Sequence, residues 1–263
     1  MGEHTFVILA YKESEFLKPC IESLKAQSEP STIILSTSTP SPFLEEICRD
    51  YSIPMRINEG ESGIAGDWNF AYQLASTKYV TLAHQDDIYE PTYTEELLAC
   101  ARERHDTLFV FCDSYEIIRG RRTDVTPNLF VKRVLRTISF LHQRHVLSTF
   151  RKRLLFALGN PIPCPSVMFN ASFVREFRFL NDYSINLDWD AWYRMTSLSG
   201  SIACVPRNLL GHRLHAQSET TAGIGDSRRL NEDRDMFARI WPALVARFLA
   251  RVYELGYRGN ASQ

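Results

Sequence analysis

Residues 79–91, YVTLAHQDDIYEP, decide the fold: a short apolar run, YVTLA, stops at a polar cluster that holds two adjacent carboxylates, Asp86 and Asp87. An apolar run without alternation reads as a strand covered on both faces. A strand end bearing carboxylates suits a hard divalent cation such as magnesium or manganese, which takes few protein oxygens and keeps positions for a substrate's phosphates. The same pair also suits a solvated turn ahead of Pro91. The sequence on either side bears on that choice.

Runs of the same character occur at TFVILA (5–10), TIILS (32–36), Met55–Ile57 and TLFVFC (107–112). Between them Phe16, Leu17, Ile21 and Leu24 share one helical face, as do Phe43, Leu44, Ile47 and Tyr51. Two more helices are expected, turning Trp68, Tyr72 and Ala75, then Leu97 and Ala101, inward. This β-α-β-α order over residues 1–113 predicts an α/β fold with a Rossmann-like, mostly parallel sheet flanked by helices, and a ligand crevice at the carboxyl ends of the strands. Tyr11, Ser36 and the HQDD cluster all fall at such ends.

After Asp113 the pattern changes, and residues 114–220 read as a second, acceptor-side half. From Arg119 to Arg153 there are ten Lys or Arg against one acid, Asp124, interleaved with apolar residues. Such a stretch suits an anionic membrane surface or acceptor, and equally a solvated helical cap over the sheet. GNPIPCPS (159–166) reads as a loop, NASFVREF (170–177) as helical, and LDWDAWYRMTSLSG (187–200) as a helix ending at Gly200. Short strands are expected at SIACV (201–205) and NLLGHRLH (208–215). A helical tail, 221–263, would carry a charged helix from about Ser227 to Tyr257.

Composition sets bounds. A chain of 263 residues with 44% apolar content suits one domain, or one with a small appendage. The net charge of −1 gives no ground for a nucleic-acid partner. Six dispersed cysteines without a C-x-x-C pair read as buried, reduced thiols of a cytoplasmic protein. No leader pattern opens the chain and no apolar run approaches the ~20 residues that span a bilayer. Membrane contact is therefore expected to be peripheral, on the inner face.

Several pieces, in this order, are similar to the inverting family 2 glycosyltransferases with the GT-A fold. FVILAYKESEFLKPCIESLKAQ (6–27) resembles the family's opening strand, nucleotide-contacting turn and first helix. GIAGDWNFA (63–71) resembles its glycine-then-asparagine helix start, and YVTLAHQDDIYEP its metal-binding strand end. NPIPCPSVMFNASFV (160–174), LDWDAWYRM (187–195) and RLHAQSET (213–220) resemble acceptor-side motifs, so the likeness spans about residues 5–220. It implies hexosyl or deoxyhexosyl transfer from a nucleoside-diphosphate sugar to a glycan or lipid-linked glycan in cell-surface polysaccharide synthesis, with a divalent metal at the diphosphate.

The resemblance also assigns roles. Ala10, Tyr11, Glu13, Ser36, Asn69, Asp86 and Asp87 become nucleotide-sugar contacts. Asp86 becomes the main metal ligand with His84 and His215 at its edge, and Asp188 the general base. Asp190 is the rival base, although two residues on along a helix turn it about 200° away. Trp189 and Trp192 are expected to be core or acceptor-wall aromatics.

Three positions depart from the family pattern: His84 stands for the first acid of Asp-x-Asp, Ser36 for the acid after the second strand, and Leu187 for the acid before Asp188. They leave open an alternative, a catalytically weak nucleotide-sugar-binding module. A glycoside hydrolase built on two carboxylates is a further reading, against which the Rossmann-like order speaks.

Overall fold

The computed structural model describes residues 2–61, 63–215 and 228–261, with side chains to Glu254. The first half follows the expected alternation: β1 (His4–Ala10), α1 (Leu17–Lys25), β2 (Thr32–Thr37), α2 (Pro42–Tyr51), β3 (Met55–Ile57), α3 (Ile64–Leu74) and β4 (Tyr79–His84). Local chemistry sets several of these boundaries. The Ser41 hydroxyl accepts from the Leu44 N–H and Pro42 opens α2, whose end is marked by Ser52 in the left-handed region. At the start of α3, a Cβ on Gly66 would lie 2.2 Å from the Glu61 carbonyl oxygen, so glycine lets the preceding loop close over the helix.

β5 (Ile88–Tyr89), α4 (Tyr93–Arg102), β6 (Thr107–Ile118), β7 (Arg121–Thr123), α5 (Pro127–Phe140), β8 (His145–Val146), α6 (Thr149–Leu154), β9 (Val167–Asn170), α7 (Leu187–Met195) and β10 (Ser201–Leu214) follow. The described chain ends in α8 (Arg228–Ala238) and α9 (Ala243–Ala261). One sheet runs β3-β2-β1-β4-β9-β6-β10-β5, with β7 on β6 and β8 on β10. Its first four strands are parallel, as expected. Beyond them the sheet is mixed, because β9 enters antiparallel between β4 and β6. All four residues of β9 are buried, which suits a short central strand.

Helices cover both faces. Phe6, Ile8, Leu17, Ile21, Leu44 and Leu97 pack on one side, and Val7, Tyr72, Trp189, Trp192, Phe237 and Ala250 on the other. Trp189 and Trp192 are fully buried core residues. The six cysteines are free and buried. No described helix is long and apolar enough to cross a membrane.

Four expectations of the second half change. NASFVREF forms turns after the last residue of β9 rather than a helix. Helix α7 stops at Met195, and turns carry the chain to Gly200. The two short strands are one strand, β10, with register shifts near Val205 and Asn208 where Pro206 interrupts the ladder. The single charged helix is two, because Pro242 intervenes between α8 and α9. Both pack into the main core through Met236, Phe237, Ala246 and Ala250.

The basic stretch spends most of its charge on partners within the chain, although Arg122 and Arg144 do so at the surface. Arg122 pairs with Glu90 and Asp124, Arg136 with Asp113, and Arg144 with Glu103. Arg133 donates to the Asp124 carbonyl and Asn208, while Arg151 donates to the carbonyls of Ser139 and Phe140 at the end of α5. The buried Lys152 ammonium donates to the Leu198 and Gly200 carbonyls.

Candidate active site

The carboxyl ends of β1 and β4 are tied together side by side. Gln85 donates through Nε2 to the Tyr11 carbonyl at 3.0 Å, and its Oε1 accepts from the Tyr11 N–H at 3.3 Å. Ala10 is buried at the strand end, whereas the Tyr11 ring and Glu13 stand exposed on the rim. Lys12 follows in the left-handed region, its N–H bonded to Thr39 at 2.6 Å.

At the end of β4, ligand atoms of His84, Asp86 and Asp87 lie within 4.8 Å of one another. His84 Nε2 is buried without a hydrogen-bond partner, and burial holds its pKa below 6.5 despite the attraction of Asp87 and Asp86. A buried neutral imidazole with an unsatisfied nitrogen fits a metal ligand better than a surface turn. Burial pushes the Asp86 carboxyl up, but His84, the His215 hydrogen bond and His212 outweigh it and leave the pKa below 3.8. His215 brings Nε2 to 2.8 Å from Asp86 Oδ2. This donor set of imidazole and carboxylate fits manganese, with Asp86 as the anionic ligand and His84 and His215 beside it.

Asp87 has a different place. Its side chain is fully buried and accepts from the Arg213 N–H at 2.9 Å and from His212 Nδ1 at 3.2 Å, which welds β4 to β10. Arg213 reinforces the joint by donating to the Asp86 carbonyl at 2.8 Å while its guanidinium lies over the Phe16 ring.

Two further residues differ from expectation. Ser36 is buried within β2, opposite Leu9 in the ladder, and does not reach the rim. The rim position is taken by Ser38, which donates to Asp67 Oδ2 at 2.8 Å while Asn58 donates to Oδ1 at 2.7 Å. Asp67 thus supplies a carboxylate beside the end of β2, from a helix rather than the strand. Asn69 spends both ends of its amide on Phe179, donating to its carbonyl and accepting from its N–H, each at 2.8 Å. It fastens the loop before α7 to α3.

Asp188 opens α7. Its Oδ1 accepts from the Trp189 N–H at 2.7 Å. Burial raises its pKa from 3.8 to about 6, against the Trp189 N–H, Lys132, Asn160 and Arg229, which all favour the anion. A carboxylate poised near 6 is suited to accept a proton at neutral pH. Asp188 and the β4 cluster lie within electrostatic reach of shared groups: the charges of Asp188 and Asp87 both act on the buried Cys164 thiol, and the Lys132 ammonium senses Asp188 and acts on His212. Asp190, by contrast, is buried in ion pairs with Arg194, at 2.7 Å, and Arg239. It holds α7 to the end of α8, with each carboxylate oxygen engaged by an arginine.

The start of α7 is itself held from α8. The Glu232 carboxylate accepts from the backbone N–H groups of Ser184, Ile185 and Asn186, at 2.9–3.0 Å, and from the Ser184 hydroxyl at 2.8 Å. Asp233 accepts from Asn186 Nδ2 at 2.8 Å. Lys132 and Glu232 carry no motif signal, and Asp67, Asn160 and Cys164 lie inside motif stretches without standing out there; the fold brings all five to the candidate site or its support. The RLHAQSET segment contributes Arg213 and His215; its residues 216–220 lie outside the described residues.

The family model described as Glycosyl transferase family 2 matches residues 5–174. No curated protein sequence matches the chain. Among solved structures, a mannosyltransferase, PcManGT from Pyrobaculum calidifontis, in complex with GDP-Man and Mn2+ superposes with a TM-score of 0.67 at 14% identity, covering 94% of this chain and 70% of that one. S. aureus TarS 1–349 gives 0.62 at 12% identity over 89% of this chain, and its complex with UDP-GlcNAc gives the same values. The present chain spans 64% of TarS 1–349 and 39% of a longer TarS structure. At these identities the likeness establishes the shared GT-A-type α/β fold.

Proposed function

Since the chain belongs to glycosyl transferase family 2, we propose that it is an inverting glycosyltransferase that moves a hexosyl or deoxyhexosyl group from a nucleoside-diphosphate donor to a glycan acceptor, free or carried on a lipid, in cell-surface polysaccharide synthesis. The observation that carries this reading is Asp188 at the start of α7, held partly protonated by burial with a pKa of about 6 and within electrostatic reach of Lys132 and Cys164, which also sense the Asp87–His212 side of the β4 cluster. One group that takes a proton and another that receives a diphosphate are what glycosyl transfer needs on either side of the anomeric carbon.

The donor lies, in this reading, along the ends of β1 and β4, with its base and ribose near Tyr11, Glu13 and the Asp67–Ser38 pair and its diphosphate at Asp86. A divalent cation held by Asp86, His84 and His215 would neutralise charge on the departing diphosphate, an effect worth several kcal/mol. Asp188 accepts the proton of the acceptor hydroxyl as that oxygen bonds to the anomeric carbon and the carbon–oxygen bond to the diphosphate breaks. Attack from the face opposite the leaving group inverts the configuration. Lys132 keeps enough positive charge near Asp188 for the carboxylate to remain an anion before it takes the proton. The departures at His84 and Ser36 are answered by a neutral imidazole that suits manganese and by Asp67 at the neighbouring rim, which favours an enzyme over a binding module. A lipid-carried acceptor would place the chain at the inner membrane face as a peripheral protein.

The test is release of nucleoside diphosphate from a panel of nucleotide sugars with manganese. Turnover in the wild type that is lost in Asp188→Asn, with donor binding retained, is expected. Donor binding without turnover under any acceptor would leave only the binding module.

A further inference from the structure

Helix α5 buries Leu129, Leu135 and Phe140 but leaves a second apolar stripe in solvent. On a water-facing helix the charged residues point to solvent and the apolar ones to the core. Here Lys132, Arg133 and Arg136 turn toward Asp188 and Glu116, Asp124 and Asn208, and Asp113 respectively. The outward face carries Phe130, Val134 and Ile138, one turn apart, of which Phe130 is 64% exposed. Helix α9, which packs against α5, also carries an exposed apolar stripe: Ala246 and Ala250 are buried, while Leu244, Phe248 and Val252 are exposed, Leu244 at 77%. Of nineteen large apolar side chains exposed among the described residues, fourteen lie in residues 125–158 and 241–252. Exposure concentrated in this way marks an interaction surface, because scattered single residues are the ordinary case.

Charge selects the occupant. Residues 125–158 and 236–253 contain no Asp or Glu, although the chain has 31 acids. Arg247 and Arg251 stand exposed beside the α9 stripe. A symmetric contact with a second copy would set these cationic segments against each other, which is unfavourable. An anionic lipid surface satisfies both features, since apolar side chains enter the headgroup–acyl boundary while arginines stay at headgroup level. The inner face of α5 meanwhile contributes Lys132 to the surroundings of Asp188.

We infer that the outer faces of α5 and α9 form a docking surface for an anionic bilayer, seating the acceptor side of the cleft at headgroup height. The surface follows from the exposed side chains; its use, presenting a lipid-carried acceptor, rests on the transferase reading. The docking is mainly apolar and only partly electrostatic, because most of the basic residues of 119–153 are engaged internally.

Flotation with phosphatidylcholine vesicles, with and without phosphatidylglycerol, tests it. The wild type is expected to float with the anionic vesicles, to lose part but not all of that binding at high salt, and to drop by at least about tenfold in Val134→Asp and in Phe248→Asp, since each removes one large side chain from the lipid. Trp241, at the start of this surface, should be quenched by brominated acyl chains; the buried Trp189 and Trp192 should not. Absence of flotation, flotation unchanged in both variants, or a solution dimer that the two variants dissociate would overturn the inference. Asp86→Ala separates the two proposals because it should float like the wild type. A wild type that turns over donor without floating sinks the docking alone, and one that floats without turning over any donor sinks the transferase reading alone.

Discussion

His215 Nε2 lies 2.8 Å from Asp86 Oδ2, so the last described residue after β10 meets the end of β4 across 129 positions of sequence. The bond adds to those by which Asp87 accepts from His212 and the Arg213 N–H and Arg213 donates to the Asp86 carbonyl. Chelation and Asp86→Ala should each weaken manganese-dependent donor binding by at least about tenfold, as loss of a charge-neutralising cation implies. His84→Asp should retain manganese use, because a carboxylate replaces one ligand by another. Calorimetric titration of nucleoside diphosphate with and without manganese checks both, and binding indifferent to chelation would remove the cation from the account.

Asp188→Asn should lower transfer by ~10²- to 10⁴-fold while leaving donor affinity intact. In the wild type, activity should rise with pH through about 6 as Asp188 loses its proton. A rate profile flat across that region, or equal rates in wild type and variant at saturating substrates, would take the role from Asp188.

The same carboxyl makes a prediction about stability. Its folded pKa of about 6 lies above its ordinary 3.8, so the folded state holds this proton more tightly than the unfolded chain does. The resulting contribution is present at low pH and is lost as pH rises from about 4 to 6; above that the buried anion is a burden on the order of 2–3 kcal/mol. Asp188→Asn should therefore unfold at higher denaturant than wild type at pH 8 and lose that advantage near pH 4. A variant less stable than wild type at pH 8 would contradict it.

Asp190→Asn should behave in the opposite way. Its carboxylate is buried while Arg194 and Arg239 are partly exposed, so removing its charge should cost about 1–3 kcal/mol, less than for a fully buried pair. Residual activity at a temperature where the variant is folded should stay close to wild type, and selective loss of turnover there would reopen Asp190 as the base.

Glu232→Gln removes the charge from an anchor that accepts four hydrogen bonds at the start of α7. Because Glu232 reaches the cleft only through that helix, kcat should fall about tenfold or more with donor KM little changed, as for a misplaced catalytic group. A rise in donor KM at constant kcat would show that Glu232 acts elsewhere.

How far the sequence reached follows a physical divide. The strands β1, β2 and β4, their helices, the HQDD end and Asp188 are local features, each written in a continuous apolar run or a short motif. The antiparallel entry of β9 is non-local, because four buried residues in a row look alike whichever neighbour they pair with. The pairing of the basic stretch is non-local as well, since nothing in a run of arginines states that Asp113, Glu103 and Asp124 receive them. Ser36 and Asn69 match motif positions, yet burial in β2 and the clasp on Phe179 take them from the cleft. Asp67, Lys132 and Glu232 stand on separate helices, and only packing brings the first two to the candidate site and the third to the start of α7.

The most direct measurement is thermal unfolding of the wild type and of Asp86→Ala against a panel of nucleoside-diphosphate sugars, each with and without manganese. Saturating ligand at ~100 times its dissociation constant stabilises a folded protein by about 2.7 kcal/mol. At least one nucleotide sugar should stabilise the wild type in a manganese-dependent manner and leave Asp86→Ala unmoved. Stabilisation by none of them, or equal stabilisation of both proteins without manganese, would contradict it.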